Sequence, residues 1–132
     1  MACGKRSEQT VAVRNETEGK LLLSKVRCCA SFFCQLRGLM FRRHLGDSEG
    51  LWLIGRRESR VMTAIHMFFV FFPIAAIWLD RNGRVVDARL AHPFRPIYVP
   101  RVPARDVLEG PPGLLEQVHT GDILLFGVEH AA

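Results

Sequence analysis

Lysine, tyrosine and late cysteine are scarce in this chain of 132 residues. Of its 18 cationic side chains only Lys5, Lys20 and Lys25 are lysines, and Tyr98 is the single tyrosine. The four cysteines, Cys3, Cys28, Cys29 and Cys34, all stand in the first third of the sequence. No C-x-x-C pair occurs, and no histidine follows at zinc-finger spacing. Cys28 and Cys29 are adjacent, and on a strand adjacent side chains point to opposite faces, so they cannot readily serve one metal. Reduced, partly buried thiols are therefore expected, with no metal and no cofactor. The sequence also lacks a phosphate-binding glycine loop, a nucleophile elbow and a histidine pair at helix spacing.

The formal net charge is +5, but the arginines are scattered from Arg6 to Arg105 among acids such as Glu58, Asp87 and Asp106. A nucleic-acid reader gathers its cations on one face and interleaves aromatics for stacking. That pattern is absent, and nucleic acid is not favoured as a partner. The opening stretch is polar, without the apolar core of a secretory signal, and position two is not the glycine that myristoylation needs. A cytoplasmic location is expected.

Charge is also absent from Val61 to Leu79, a run long enough to cross a bilayer. Its content speaks for strands instead. Aromatic and β-branched residues fill it, Pro73 interrupts it, and Phe72 before that proline is pushed towards extended geometry. Asn82-Gly83, between apolar runs, is a strong hairpin signal, and Arg84 to Leu90 forms the second arm. Membrane association through residues 61–79 stays an alternative of lower rank.

Elsewhere, Thr10 to Asn15 and Lys20 to Arg27 read as strands around a turn at Glu16 to Gly19. Ser31 is placed to cap a short helix carrying Phe32, Phe33, Leu36, Leu39 and Met40 at helical spacing, and Gly38 within it marks either an end or a close-packed point. Leu51 to Ile54 reads as a short buried strand. Pro93, Pro96, Pro100 and Pro103 exclude a central strand between them, leaving an edge segment around Ile97-Tyr98-Val99. Val107 to Glu109 is a further strand. A short helix over 114–118 and a turn at Thr120-Gly121-Asp122 lead to a last strand over 123–128. Tails are expected over 1–9 and 129–132, with one domain over 10–128. Many short strands divided by turns imply a small, mainly β, antiparallel barrel or sandwich with one or two short helices.

Several pieces, in order, resemble a widespread prokaryotic family, domain of unknown function 192. They are Arg37-Gly38-Leu39-Met40-Phe41-Arg42, Glu49-Gly50-Leu51-Trp52, Ile65-His66-Met67, Pro73-Ile74, Leu79-Asp80, Gly83, Val85-Val86, Pro93, Val107-Leu108-Glu109, Gly113 and Gly121-Asp122. The likeness runs from about Thr10 to Val128. It implies a compact barrel-like β domain and supports the hairpin reading, but it implies no reaction. The family pattern usually has Asp after the Pro-Ile pair, where this chain has Ala75, and polar residues where it has Phe68, Phe69 and Val70. Any activity carried over from the family is thereby in question.

For chemistry, His66 stands out as a lone polar group in an apolar run. Glu109 and Asp122, beside glycine turns, are the acids expected to approach it if a polar site exists. Each also has a structural explanation, His66 as a core histidine with a backbone partner and the acids as turn and cap acceptors. Arg37, Met40, Arg42, Trp52, Met67 and Phe69 are candidates for lining a ligand pocket. The reading that best fits so few reactive groups is a non-catalytic accessory or binding module for a protein partner or small ligand. A small hydrolase or lyase using His66 with Glu109 or Asp122 is the alternative.

Overall fold

The computed structural model describes residues 10–127. The expected tails, Cys3 and His130 lie outside the described residues. Seven strands form one sheet: β1 (Thr10–Asn15), β2 (Lys20–Cys29), β3 (Glu49–Ser59), β4 (Ile74–Leu79), β5 (Val85–Ala91), β6 (Ala104–Gly110) and β7 (Leu124–Gly127). Their spatial order is β5-β4-β6-β3-β2-β1-β7. Every pair is antiparallel except β2 with β3, where Arg27 faces Leu51 and Cys29 faces Leu53 in parallel register. A parallel neighbour requires a crossover, and the helix α1 (Phe32–Arg37) lies in it. The Ser31 hydroxyl caps this helix by accepting from the Cys34 N–H at 3.2 Å. Gly38, at φ 49°, ends it.

β4 explains the uncharged run. All six of its residues are buried. Ala75, Ile77 and Leu79 join one core cluster with Val13, Leu23, Trp52 and Leu108. Ile74, Ala76 and Trp78 join a second with Leu39, Met67, Tyr98 and Val107. A strand covered on both faces has no polar side to alternate with, so it reads as continuously apolar. Residues 61–73 are a loop laid over the second cluster, pinned where Ile65 bridges Tyr98 and where the Trp78 indole donates to the Thr63 carbonyl at 2.7 Å. The helical membrane anchor through 61–79 is thereby overturned. Among the described residues no helix is long and apolar enough to cross a membrane.

The sheet curls into a half-barrel around the first cluster. Trp52 on β3 meets Phe126 on β7 with ring centroids 4.6 Å apart, although β2 and β1 stand between them in the sheet. The outermost strands approach each other at one end, where Leu124 N–H donates to the Gly83 carbonyl and Val85 N–H to that of Asp122, both at 2.8 Å.

Other differences from the sequence reading are local. β3 runs on to Ser59, which pairs with Ala104 of β6 beyond an irregularity, with Arg56 and Arg57 exposed between. The helix expected over 114–118 is a 3-10 helix over Pro112–Glu116. The expectation of reduced thiols is corrected: Cys29 and Cys34 form a disulfide, their Cα atoms 5.6 Å apart. Cys29 ends β2, and the Ser31 cap folds the chain back so that Cys34 returns to it. No cysteine among the described residues is free.

Gly83 tests the seam between the outer strands. It sits at φ 80°, and a Cβ there would lie 2.6 Å from the Leu124 carbonyl oxygen. Gly83→Ala is expected to cost about 2 kcal/mol or more, read as a lower urea midpoint with an unchanged slope.

Candidate functional site

A cavity of about 60 Å³ lies over the second core cluster, bounded by Gln35, Arg37, Gly38, His66, Met67 and Glu109 among others. Glu109 comes from β6, in register with Leu51 of β3 and Ala76 of β4. Partners across a ladder share a face, so its carboxyl is directed to the same side as theirs. Helix α1 ends over this spot. A Cβ on Gly38 would stand 3.7 Å from Glu109 Oε1, and its positive φ is a conformation that glycine adopts without strain. Gln35 ties the helix to the sheet by donating to the carbonyls of Cys29 at 3.2 Å and Ile54 at 2.6 Å.

Glu109 is 5 % exposed. Among the described residues no hydrogen bond or ion pair reaches its carboxyl, and burial pushes the group up to about 7. The other buried acids are all satisfied. Asp106 accepts from the Trp52 indole at 2.9 Å and from Gly55 N–H at 3.1 Å. Burial works against the Asp87 charge, but hydrogen bonds from Arg101 N–H and the Arg89 side chain outweigh it and hold the carboxyl below its ordinary value. Glu109 is the exception.

His66 faces the same cavity. Its Nε2 lies 2.8 Å from the Leu36 carbonyl, which can only accept, so Nε2 carries the proton. In the neutral ring Nδ1 is then an acceptor, and it is buried without a partner. A protonated carboxyl can donate and this nitrogen can accept, so the cavity offers both halves of a hydrogen-bond pair to whatever enters it.

The structure brings Arg37, His66, Met67 and Glu109 to one cavity and sets the other candidates elsewhere. Asp122 serves a turn: its carboxylate accepts from Asn15 Nδ2 and His119 N–H, both at 2.9 Å. Burial opposes its charge, but those bonds keep it below its ordinary value. Glu18, His119 and Asp122 hold ligand-type atoms within 4.8 Å of one another, and both of these hydrogen bonds fall on Asp122 Oδ2. Arg42 is paired with Glu49 at 3.0 Å. Met40 packs against the second core cluster. Trp52 is buried in the first, and Phe69 is exposed. Ala75 belongs to the first cluster as well, so the position where the family pattern has Asp faces away from the Glu109 cavity.

A second hollow, of about 320 Å³, lies between Trp52, Ile54, Arg81, Arg105, Leu124 and Phe126, and no local pattern points to it. Its walls come from distant strands that only the curl brings together.

The fold and cavity define a class of small curled-sheet β domains with an unpartnered carboxyl under the loop that follows β3. The chain belongs to the family described as "Uncharacterized ACR", domain of unknown function 192, whose model matches residues 13–126. It is 38% identical over 112 residues to a UPF0127 protein of Thermococcus kodakarensis, covering 83% of this chain and 69% of that one. It is also 38% identical over 104 residues to a UPF0127 protein of Pyrococcus horikoshii, covering 79% and 87%. A Sinorhizobium meliloti crystal structure, described as that of a candidate transcription regulator, superposes with TM-score 0.78 at 22% identity, over 93% of this chain and 98% of that one. A Novosphingobium aromaticivorans protein of unknown function superposes with TM-score 0.73 at 24% identity, over 88% and 83%. These structural likenesses show the shared fold.

The raised Glu109 carboxyl fixes the sign of a pH dependence. Its proton is held more tightly in the folded state, to about 7 against an ordinary 4.5. Its stabilising contribution is therefore complete below pH 4.5 and is lost as pH rises through 7. The loss amounts to roughly 3 kcal/mol. Glu109→Gln is expected to flatten this part of the profile, gaining on the parent at pH 8 and not at pH 4.5, as read by thermal melting across pH.

Proposed function

We propose that the chain is a non-catalytic binding module whose receptor is the Glu109–His66 cavity. The observation that carries this reading is one cavity lined by Glu109, a buried residue whose carboxyl has no hydrogen bond among the described residues, and by a buried His66 ring nitrogen with none. A buried nitrogen of this kind costs about 1–3 kcal/mol, which an entering polar group recovers. The size of the space limits what enters. At about 60 Å³ it falls well short of the roughly 300–1,000 Å³ of ordinary small-molecule pockets. One small polar group, presented by a partner protein or at the tip of a small ligand, fits that description.

Native mass spectrometry of the chain purified without detergent tests this. The expected result is a reproducible added mass, or a co-purifying protein, that is lost in His66→Phe and Glu109→Leu. A bare chain that also captures nothing from extract of its source cells overturns the reading.

One observation favours a second reading, a small hydrolase or lyase. A carboxyl near 7 is suited to general acid or base work at neutral pH, and His66 shares its cavity. Substrate turnover abolished by both Glu109→Gln and His66→Ala would replace the binding reading with this one.

The proposed location is cytoplasmic. The Cys29–Cys34 bond pulls the other way, because disulfides are rare in reducing compartments. Fractionation of the source cells decides it, and recovery outside the cytoplasm overturns the assignment.

A further inference from the structure

Three loops place phenylalanine side by side on the outside of the molecule. Phe41 and Phe69 are stacked with centroids 5.1 Å apart, Phe94 lies edge-on to Phe69 at 6.4 Å, and Phe71 packs on Phe94 at 5.6 Å. Backbone hydrogen bonds lock the loops together, with Phe41 N–H donating to the Phe69 carbonyl and Phe94 N–H to that of Met67, both at 2.9 Å. About half of each side chain or more is exposed. Exposed Phe68 and Ile97 extend the surface.

Two features separate this patch from incidental exposure. Phe41, Phe69 and Phe94 are the only non-glycine residues at positive φ among the described residues, at 65°, 57° and 63°. Glycine or asparagine would suit such positions better, yet each carries an apolar ring in water. The second feature is charge. The segments 37–45, 66–73 and 92–97 contain Arg37, Arg42, Arg43 and Arg95 and no Asp or Glu. Arg37, Arg43 and Arg95 are exposed.

We infer that this patch docks on the surface of an anionic lipid bilayer, with the phenylalanines entering the acyl boundary and the arginines meeting the headgroups. Arginines beside an anionic bilayer are attracted to it, and phenylalanine suits an apolar face that enters the acyl boundary. The rings available for contact carry no polar group: Tyr98, Trp52 and Trp78, which do, are all buried. Rings without a polar group fit hydrocarbon better than a protein interface, whose aromatic hot spots are mainly Tyr and Trp. A second copy of the chain would oppose arginine to arginine, which disfavours self-docking.

Co-sedimentation of the full chain with vesicles of phosphatidylcholine alone, or with about one-third phosphatidylserine, tests the inference. The expected result is binding to the anionic vesicles only, weakened by salt. The triple variant Phe41→Asn, Phe69→Asn, Phe94→Asn keeps or raises the melting temperature, because asparagine tolerates the left-handed backbone. It is expected to bind about tenfold more weakly or worse. The pair Arg43→Glu and Arg95→Glu is expected to abolish the preference for anionic lipid. Wild-type chain that stays in the supernatant overturns the inference, as does binding that survives loss of the rings or capture of an acidic protein in place of lipid. Glu109→Gln leaves vesicle binding unchanged, so failure here is distinct from failure of the cavity reading.

Discussion

The fold turns on the burial of β4 from both sides. One face of this strand looks into the curl of the sheet, and the other would meet water unless something covered it. A sheet exposing Ile74, Ala76 and Trp78 would lose several kcal/mol of apolar burial. The crossover between β2 and β3 and the segments 61–73 and 92–103 supply the cover. The cavity follows from that arrangement, because loops pinned at a few points do not fill space as side chains in a core do. Glu109 lies where the cover is incomplete.

The strands, the hairpin at Asn82-Gly83 and the helix start at Ser31 were legible because each rests on a local rule. Alternation, turn chemistry and capping act within a few residues. The extent of β3 and the parallel pairing of β2 with β3 were not legible, since both depend on partners far away in the chain. The same division holds for the site. His66 could be singled out as a polar residue in an apolar run, and Glu109 as an acid beside a glycine turn. That they share a cavity depends on the register of β6 against β3 and β4, which no local pattern encodes. Asp122 carries the same sequence signal as Glu109, but its carboxylate meets Asn15 from the other end of the chain. The disulfide escaped notice because the turn after β2, not cysteine spacing, brings its two ends together.

The buried acids show how one residue type serves different ends. Asp87, Asp106 and Asp122 each hold several donors and fix turns and strand ends where side chains alone would slide. Glu109 has the same burial without the donors, so its environment favours the neutral form. That contrast, rather than any single distance, distinguishes the cavity from the rest of the polar interior.

β1 pairs with β7, so the first and last strands among the described residues are neighbours. During synthesis β1 finds β2 at once, but its other neighbour, β7, is made only after every other strand of the sheet. Until β7 emerges, β1 has an open edge and Trp52 lacks the ring of Phe126 above it. The nascent domain therefore passes through a stage with most of its sheet assembled and one side of its interior uncovered. Closure of the sheet thus waits for β7, and it is in that interval that a chaperone would find something to hold.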